Sequence, residues 1–158
     1  MVTFDKGWPR ARLRGQLVWF LAWVAVTVLG MILTPNDTGH GTHSQLGLPP
    51  CGSAVVFGRP CPGCGMTTSV SALVHLDVAG AVRAHPLGPF MYALFTASAF
   101  ASLYGFVRGR RLNTDSVAFN RLMWAVAIAF LAFGIARFAL VEYPREDIPW
   151  PTFIDFRS

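Results

Sequence analysis

Three stretches of this chain carry no charge over most of the length that a helix needs to cross a lipid bilayer. Gln16–Leu33 and Leu87–Val107 hold no charged residue, and Leu122–Ala136 holds none before Arg137. A helix rising about 1.5 Å per residue needs roughly 20 residues to span the hydrocarbon. The third stretch reaches that length only if Val117–Val141 is taken whole, with Arg121 and Arg137 near its ends, where their stems can snorkel. Composition agrees: 13% of the 158 residues are charged and 53% are hydrophobic, and a soluble domain has roughly 25% charged. The pattern predicts an all-α integral membrane protein with three transmembrane helices.

The net charge of +5 is distributed by loop and not gathered on a soluble surface, which argues against nucleic-acid binding. Lys6, Arg10, Arg12 and Arg14 precede the first span, and Arg108, Arg110 and Arg111 follow the second. The segment between them carries only Arg59 and Arg83 against Asp37 and Asp77. The tail after the third span is acid-leaning, with Glu142, Glu146, Asp147 and Asp155 against Arg145 and Arg157. The positive-inside rule then predicts one multi-pass topology. Residues 1–15 are cytoplasmic, 16–33 cross, and 34–86 lie outside. Residues 87–107 cross back, 108–116 form a cytoplasmic loop, 117–141 cross again, and 142–158 are an external tail. Trp8, Trp19, Trp124 and Trp150 fall near the interfaces, as in an aromatic belt. Leu17–Leu33 is long for a signal-peptide core and lacks a small-x-small cleavage site, so it is read as an uncleaved anchor within a single membrane domain.

The chemistry-bearing residues are confined to the external segment. All three cysteines and all four histidines lie between His40 and His85. Thr34–Pro50 is broken by glycine and proline and reads as loop. After Gly65 the pattern turns helical, and Asp77 is placed to cap a second short helix ending at His85-Pro86. One or two short interfacial helices are therefore expected here. In Cys61-Pro62-Gly63-Cys64-Gly65, Gly63 and Gly65 would permit a tight turn, and Thr67 would cap the helix that follows.

Cys51, Cys61 and Cys64 admit three uses. They can form a disulfide with one thiol left over, or Cys61 and Cys64 can be one half of a zinc site to which Cys51 adds a third thiolate and His75, His85, His40 or His43 the fourth ligand. They can also supply a reactive thiol, Cys61 or Cys64, with His75 as base. Arg137 is a candidate partner for Asp77. Ala93, Ala97, Ala101 and Gly105 form a small-residue stripe suited to close helix contact, within the chain or with another copy or membrane partner. Nucleotide-binding and hydrolase fingerprints are missing, and the first two spans hold no ionisable residue of the kind that ion pathways use.

The run Cys61-Pro-Gly-Cys64-Gly-Met-Thr67, preceded by Cys51 and followed by Pro86-Leu87, resembles the bacterial membrane proteins grouped as domain of unknown function 2752. The likeness covers residues 48–140 and extends to Arg137. Thr68 stands where that family usually has arginine, and His85 where asparagine is commoner. The resemblance implies a bacterial membrane location and a structural role for Pro62, Gly63, Gly65, Thr67 and Pro86, but no reaction. The expected function is that of a small inner-membrane protein with a metal-binding or disulfide-bonded cysteine cluster serving as a structural or interaction site. The alternative is a membrane thiol enzyme.

Overall fold

The computed structural model describes residues 3–6, 13–49, 51–113 and 117–142. The expectations for Trp8, Trp150, Arg10, Arg12 and the charged tail beyond Glu142 lie outside them. The described residues are all-α apart from one short pair of strands, and three helices among them are long and apolar enough to cross a membrane. These are α1 (Arg14–Ile32), α5 (Gly88–Val107) and α6 (Val117–Leu140). Between α1 and α5 lie a 3-10 turn (Thr42–Leu46) and the short helices α2 (Gly52–Phe57), α3 (Met66–Val74) and α4 (Val78–Ala84). The sequence pattern foresees α3 and α4. It misses α2, whose apolar run is too short for any periodicity to register, and the 3-10 turn, which is set between two left-handed glycines.

Two compact units emerge. One contains the chain up to Leu29 with Phe90–Ile128, the other Gly30–Pro89 with the chain from Ala129. In the first, α1 and α5 run antiparallel and are tied by three polar contacts. Trp19 Nε1 donates to Ser98 Oγ at 3.0 Å, Trp23 Nε1 donates to Thr96 Oγ1 at 2.9 Å, and Thr27 Oγ1 lies 2.8 Å from the Tyr92 hydroxyl. The four-residue spacing of Trp19, Trp23 and Thr27 puts all three on one helical face. Polar groups on a lipid-facing rod are satisfied by one another, and such bonds hold helices together where no hydrophobic effect does. Phe100 packs edge-on against Phe20 and Trp23 in the same seam.

Close packing on α5 uses Ala99, Ser102 and Gly105, while Ala93 and Ala97 of the expected stripe remain exposed. The stripe therefore does not act as a unit within the chain. Strands β1 (Thr3–Lys6) and β2 (Arg110–Asn113) pair antiparallel, with Asp5 opposite Arg111. That pairing links residues far apart in sequence and leaves no local pattern to read.

The second unit carries the cysteines. Asp77 caps α4, its Oδ1 accepting from the Gly80 amide at 2.8 Å. The helix ends at Ala84, and His85 is extended at φ −155°, as a residue before proline must be. Ser69 Oγ donates to the Ala81 carbonyl at 2.8 Å, joining α3 to α4. Ser71 Oγ donates to the Gly30 carbonyl at 3.0 Å, anchoring α3 on the last turn of α1.

Candidate metal centre

Cys51 immediately precedes α2, and Cys61 and Cys64 bracket the turn that enters α3. The turn closes through the Cys64 amide, which donates to the Cys61 carbonyl at 3.0 Å. Gly65 then takes φ +84°, and a Cβ there would strike the carbonyl oxygens of Ala84 and Gly39. No side chain caps α3, so the cap expected of Thr67 is not made; Thr67 sits exposed in the first turn. Gly63 has open space around it, and its position does not require glycine. The three Sγ atoms lie within 4.8 Å of one another, and those of Cys61 and Cys64 are 3.4 Å apart. All three are free thiols. A partly open cavity of about 300 Å³ adjoins them, lined also by His40, His43, Ser44 and Thr67.

Helix α6 holds this turn in place. Arg137 donates from one guanidinium nitrogen to the Cys64 carbonyl at 2.6 Å and from the other to the Ala84 carbonyl at 3.1 Å. Gly134, one turn earlier, leaves the space that Pro62 fills; a Cβ at Gly134 would overlap the proline ring. Arg59 reaches the other way, donating to the Phe138 and Ala139 carbonyls at 3.1 and 3.2 Å and pairing with Glu142 at 2.8 Å. It thus closes the C-terminal end of α6, where carbonyls lack intrahelical partners.

Asp77 and Arg137 are thus engaged with backbone groups, one capping α4 and the other fixing the turn. Phe130, Phe133, Gly134, Arg137 and Phe138 recur at three- and four-residue spacing, the one sequence signal that could have marked this face.

The histidines separate. His85 is fully buried, with its ring 5.3 Å from that of Phe133 and 5.9 Å from that of Phe130. Its Nε2 lies 3.0 Å from the Pro62 carbonyl; a carbonyl only accepts, so that nitrogen carries the proton. Burial, together with the positive charge of Arg137, lowers the His85 pKa and keeps the ring neutral. His75 is exposed at the end of α3, Nδ1 to the Ser71 carbonyl at 2.8 Å, and does not line the cavity. Among the described residues, no histidine or carboxylate joins the three sulfurs as a cluster. Thr68 and His85 are both packed inside: Thr68 Oγ1 lies 2.8 Å from Thr42 Oγ1, and His85 meets the cysteine turn.

The sulfurs are electrostatically unequal. Burial works to raise the Cys51 thiol, yet hydrogen bonds with Ser53, Cys64, Cys61 and the Ala54 amide outweigh it, and its pKa is lowered to about 6. Burial pushes the Cys64 thiol up, helped by its hydrogen bond to Cys51 and by the negative charge there. The Cys51 sulfur thus favours the thiolate and accepts hydrogen bonds from its neighbours, and three converging sulfurs are the kind of soft donor set that could bind a thiophilic metal.

Two outcomes follow for the turn. Gly65→Ala forces an ordinary residue into a left-handed position against two carbonyls, and is expected to destabilise the protein by about 2 kcal/mol or more, whereas Gly63→Ala is expected to stay within about 0.5 kcal/mol. Unfolding in detergent measures both, and equal losses would contradict the geometry. His85, with its folded pKa below the unfolded value of 6.5, contributes stability that is present above that pH and is lost as pH falls through it. The unfolding transition should therefore weaken between pH 7.5 and 5, and less steeply in His85→Asn; identical pH slopes would contradict the assignment.

No curated protein and no solved structure matches the chain. Residues 51–99, which hold all three cysteines, α2, α3, α4 and the first part of α5, match the family described as Protein of unknown function (DUF2752), the one that the Cys-Pro-Gly-Cys turn resembles.

Proposed function

We propose that this chain is a multi-pass protein of the bacterial cytoplasmic membrane whose external segment, residues 34–86, binds a metal ion on Cys51, Cys61 and Cys64. The ion locks the loop before α2 to the turn before α3 and gives the segment one ordered surface for a partner. One observation carries the reading: all three sulfurs converge within 4.8 Å. A disulfide accounts for two of them and leaves the third beside it without purpose; a metal accounts for all three. The placement outside is supported by the basic residues flanking α1 and α5 on one side. It is also supported by the β1–β2 pairing, which sets the N-terminal segment beside the Arg110–Asn113 strand.

The thiol-enzyme alternative is less well served. Cys61 and Cys64 line the cavity but His75 does not, so neither nucleophile read from the sequence has that base beside it, and burial holds the proton on Cys64. The sulfur poised for attack is Cys51, which has no histidine within its cluster.

Metal analysis and thiol titration of the purified full chain test the proposal together. The expected result is one metal ion per chain, with the thiols shielded until a chelator removes it, and loss of the metal in Cys51→Ser as well as in Cys61→Ser. Metal-free protein with a Cys61–Cys64 disulfide, or three freely reacting thiols, would refute it.

A further inference from the structure

We infer that the trio is a three-coordinate site for a soft monovalent cation, Cu(I), and not a closed zinc site; this rests on the metal-binding reading above. Spacing alone does not choose between the two. With metal–sulfur bonds of about 2.3 Å, a trigonal centre sets its sulfurs about 4.0 Å apart and a tetrahedral one about 3.8 Å. Sulfurs all within 4.8 Å of one another, two of them 3.4 Å apart, suit either with small side-chain adjustments.

The donor count separates them. Structural zinc is bound by four protein ligands in a closed tetrahedron, and catalytic zinc by three with an open fourth position, in sets that include histidine. Among the described residues, the histidines, aspartates and glutamates add no ligand atom to the three sulfurs. The two histidines on the cavity wall are turned to other work. His43 Nε2 lies 3.3 Å from the Pro49 carbonyl and His40 Nδ1 lies 3.0 Å from the Thr38 carbonyl, and neither ring brings a nitrogen into the cluster of three sulfurs. Zinc here would be left with three thiolates and a water. An all-sulfur set of three is what soft Cu(I) accepts as complete.

The surroundings favour a thiolate-rich centre of this kind. The Arg137 guanidinium sits on the Cys64 carbonyl, and Cys64 lies at the start of α3, whose dipole is positive at that end. Both offset the excess negative charge that several thiolates on a monovalent ion leave behind. The cavity beside the sulfurs, partly open, gives the ion a way in and out without unfolding the turn.

The test loads the full-length, detergent-solubilised, reduced protein under anaerobic conditions with Cu(I) buffered by a chromogenic bidentate chelator, in competition with Zn(II). The expected result is one Cu(I) per chain that a hundredfold excess of Zn(II), roughly, does not displace. X-ray absorption at the copper edge should report three sulfur neighbours and no nitrogen. Cys51→Ser should weaken Cu(I) binding by about 100-fold or more, while His43→Ala should change it by less than about threefold. Zn(II) retained against Cu(I), or a nitrogen in the copper shell, would overturn this inference and leave the metal-site reading standing. Failure to hold either ion would overturn both. The absorption measurement on the unaltered chain keeps the inference falsifiable should the serine variant fold poorly.

Discussion

The cysteine turn depends on the Arg137 fork. Two carbonyls from distant parts of the chain, Cys64 and Ala84, point at one guanidinium carried by α6. Backbone that is neither helix nor sheet carries polar groups which must be satisfied, and next to a bilayer water is a poor source of partners. Arginine suits the task because its donors form a rigid planar fork. Lysine, a single flexible point charge, does not reproduce two fixed directions. With Arg137 in place, Pro62 seats against Gly134 and His85 donates to the Pro62 carbonyl, so the turn is gripped on both flanks. Arg59 returns the favour at the end of α6, and each side of the junction thereby satisfies carbonyls on the other.

The grip explains the electrostatics of the sulfurs. A loose loop would let three thiols drift apart into water, where each has its ordinary acidity. Held together, two of them split: burial would raise Cys51, but hydrogen bonds from Ser53 and from the other two cysteines lower it, and Cys64 is raised by burial and by its contact with Cys51. Acidity and crowding are two sides of one arrangement. A cation placed among them replaces the thiol protons, which is the physical sense in which the site is prepared for a metal.

The spans were legible in the sequence because charge-free length is a local property, and α1, α5 and α6 fill the three stretches that lack charge. Asp77 was legible as a cap for the same reason: its partner, the Gly80 amide, lies three residues away. The confinement of all cysteines to one segment pointed to the site. Its geometry was hidden. That Cys51 reaches Cys61 and Cys64 depends on α2 folding back, and that short helix has no periodic signature. The partners of Arg137 and Arg59 are separated from them by 53 to 83 residues, beyond any local pattern. Gly65 outcompeted Thr67 at the start of α3 because the close approach of the Ala84 and Gly39 carbonyls demands a residue without a side chain there. The histidines misled for a related reason. Nearness in sequence favoured His75 and His85 as ligands, but one faces outward and the other is a buried strut.

Cys51, remote in sequence from the Cys-x-x-Cys pair, brings its sulfur within 4.8 Å of both of theirs through tertiary structure alone. A trivalent phenylarsenical, which bridges two thiols only when they are adjacent, tests this convergence without reference to any metal. Cys51→Ser, Cys61→Ser and Cys64→Ser each leave one pair of sulfurs. The account predicts that all three variants bind one arsenical per chain and resist its removal by a monothiol. Binding by Cys51→Ser alone, with the two pairs that include Cys51 inert, would contradict it.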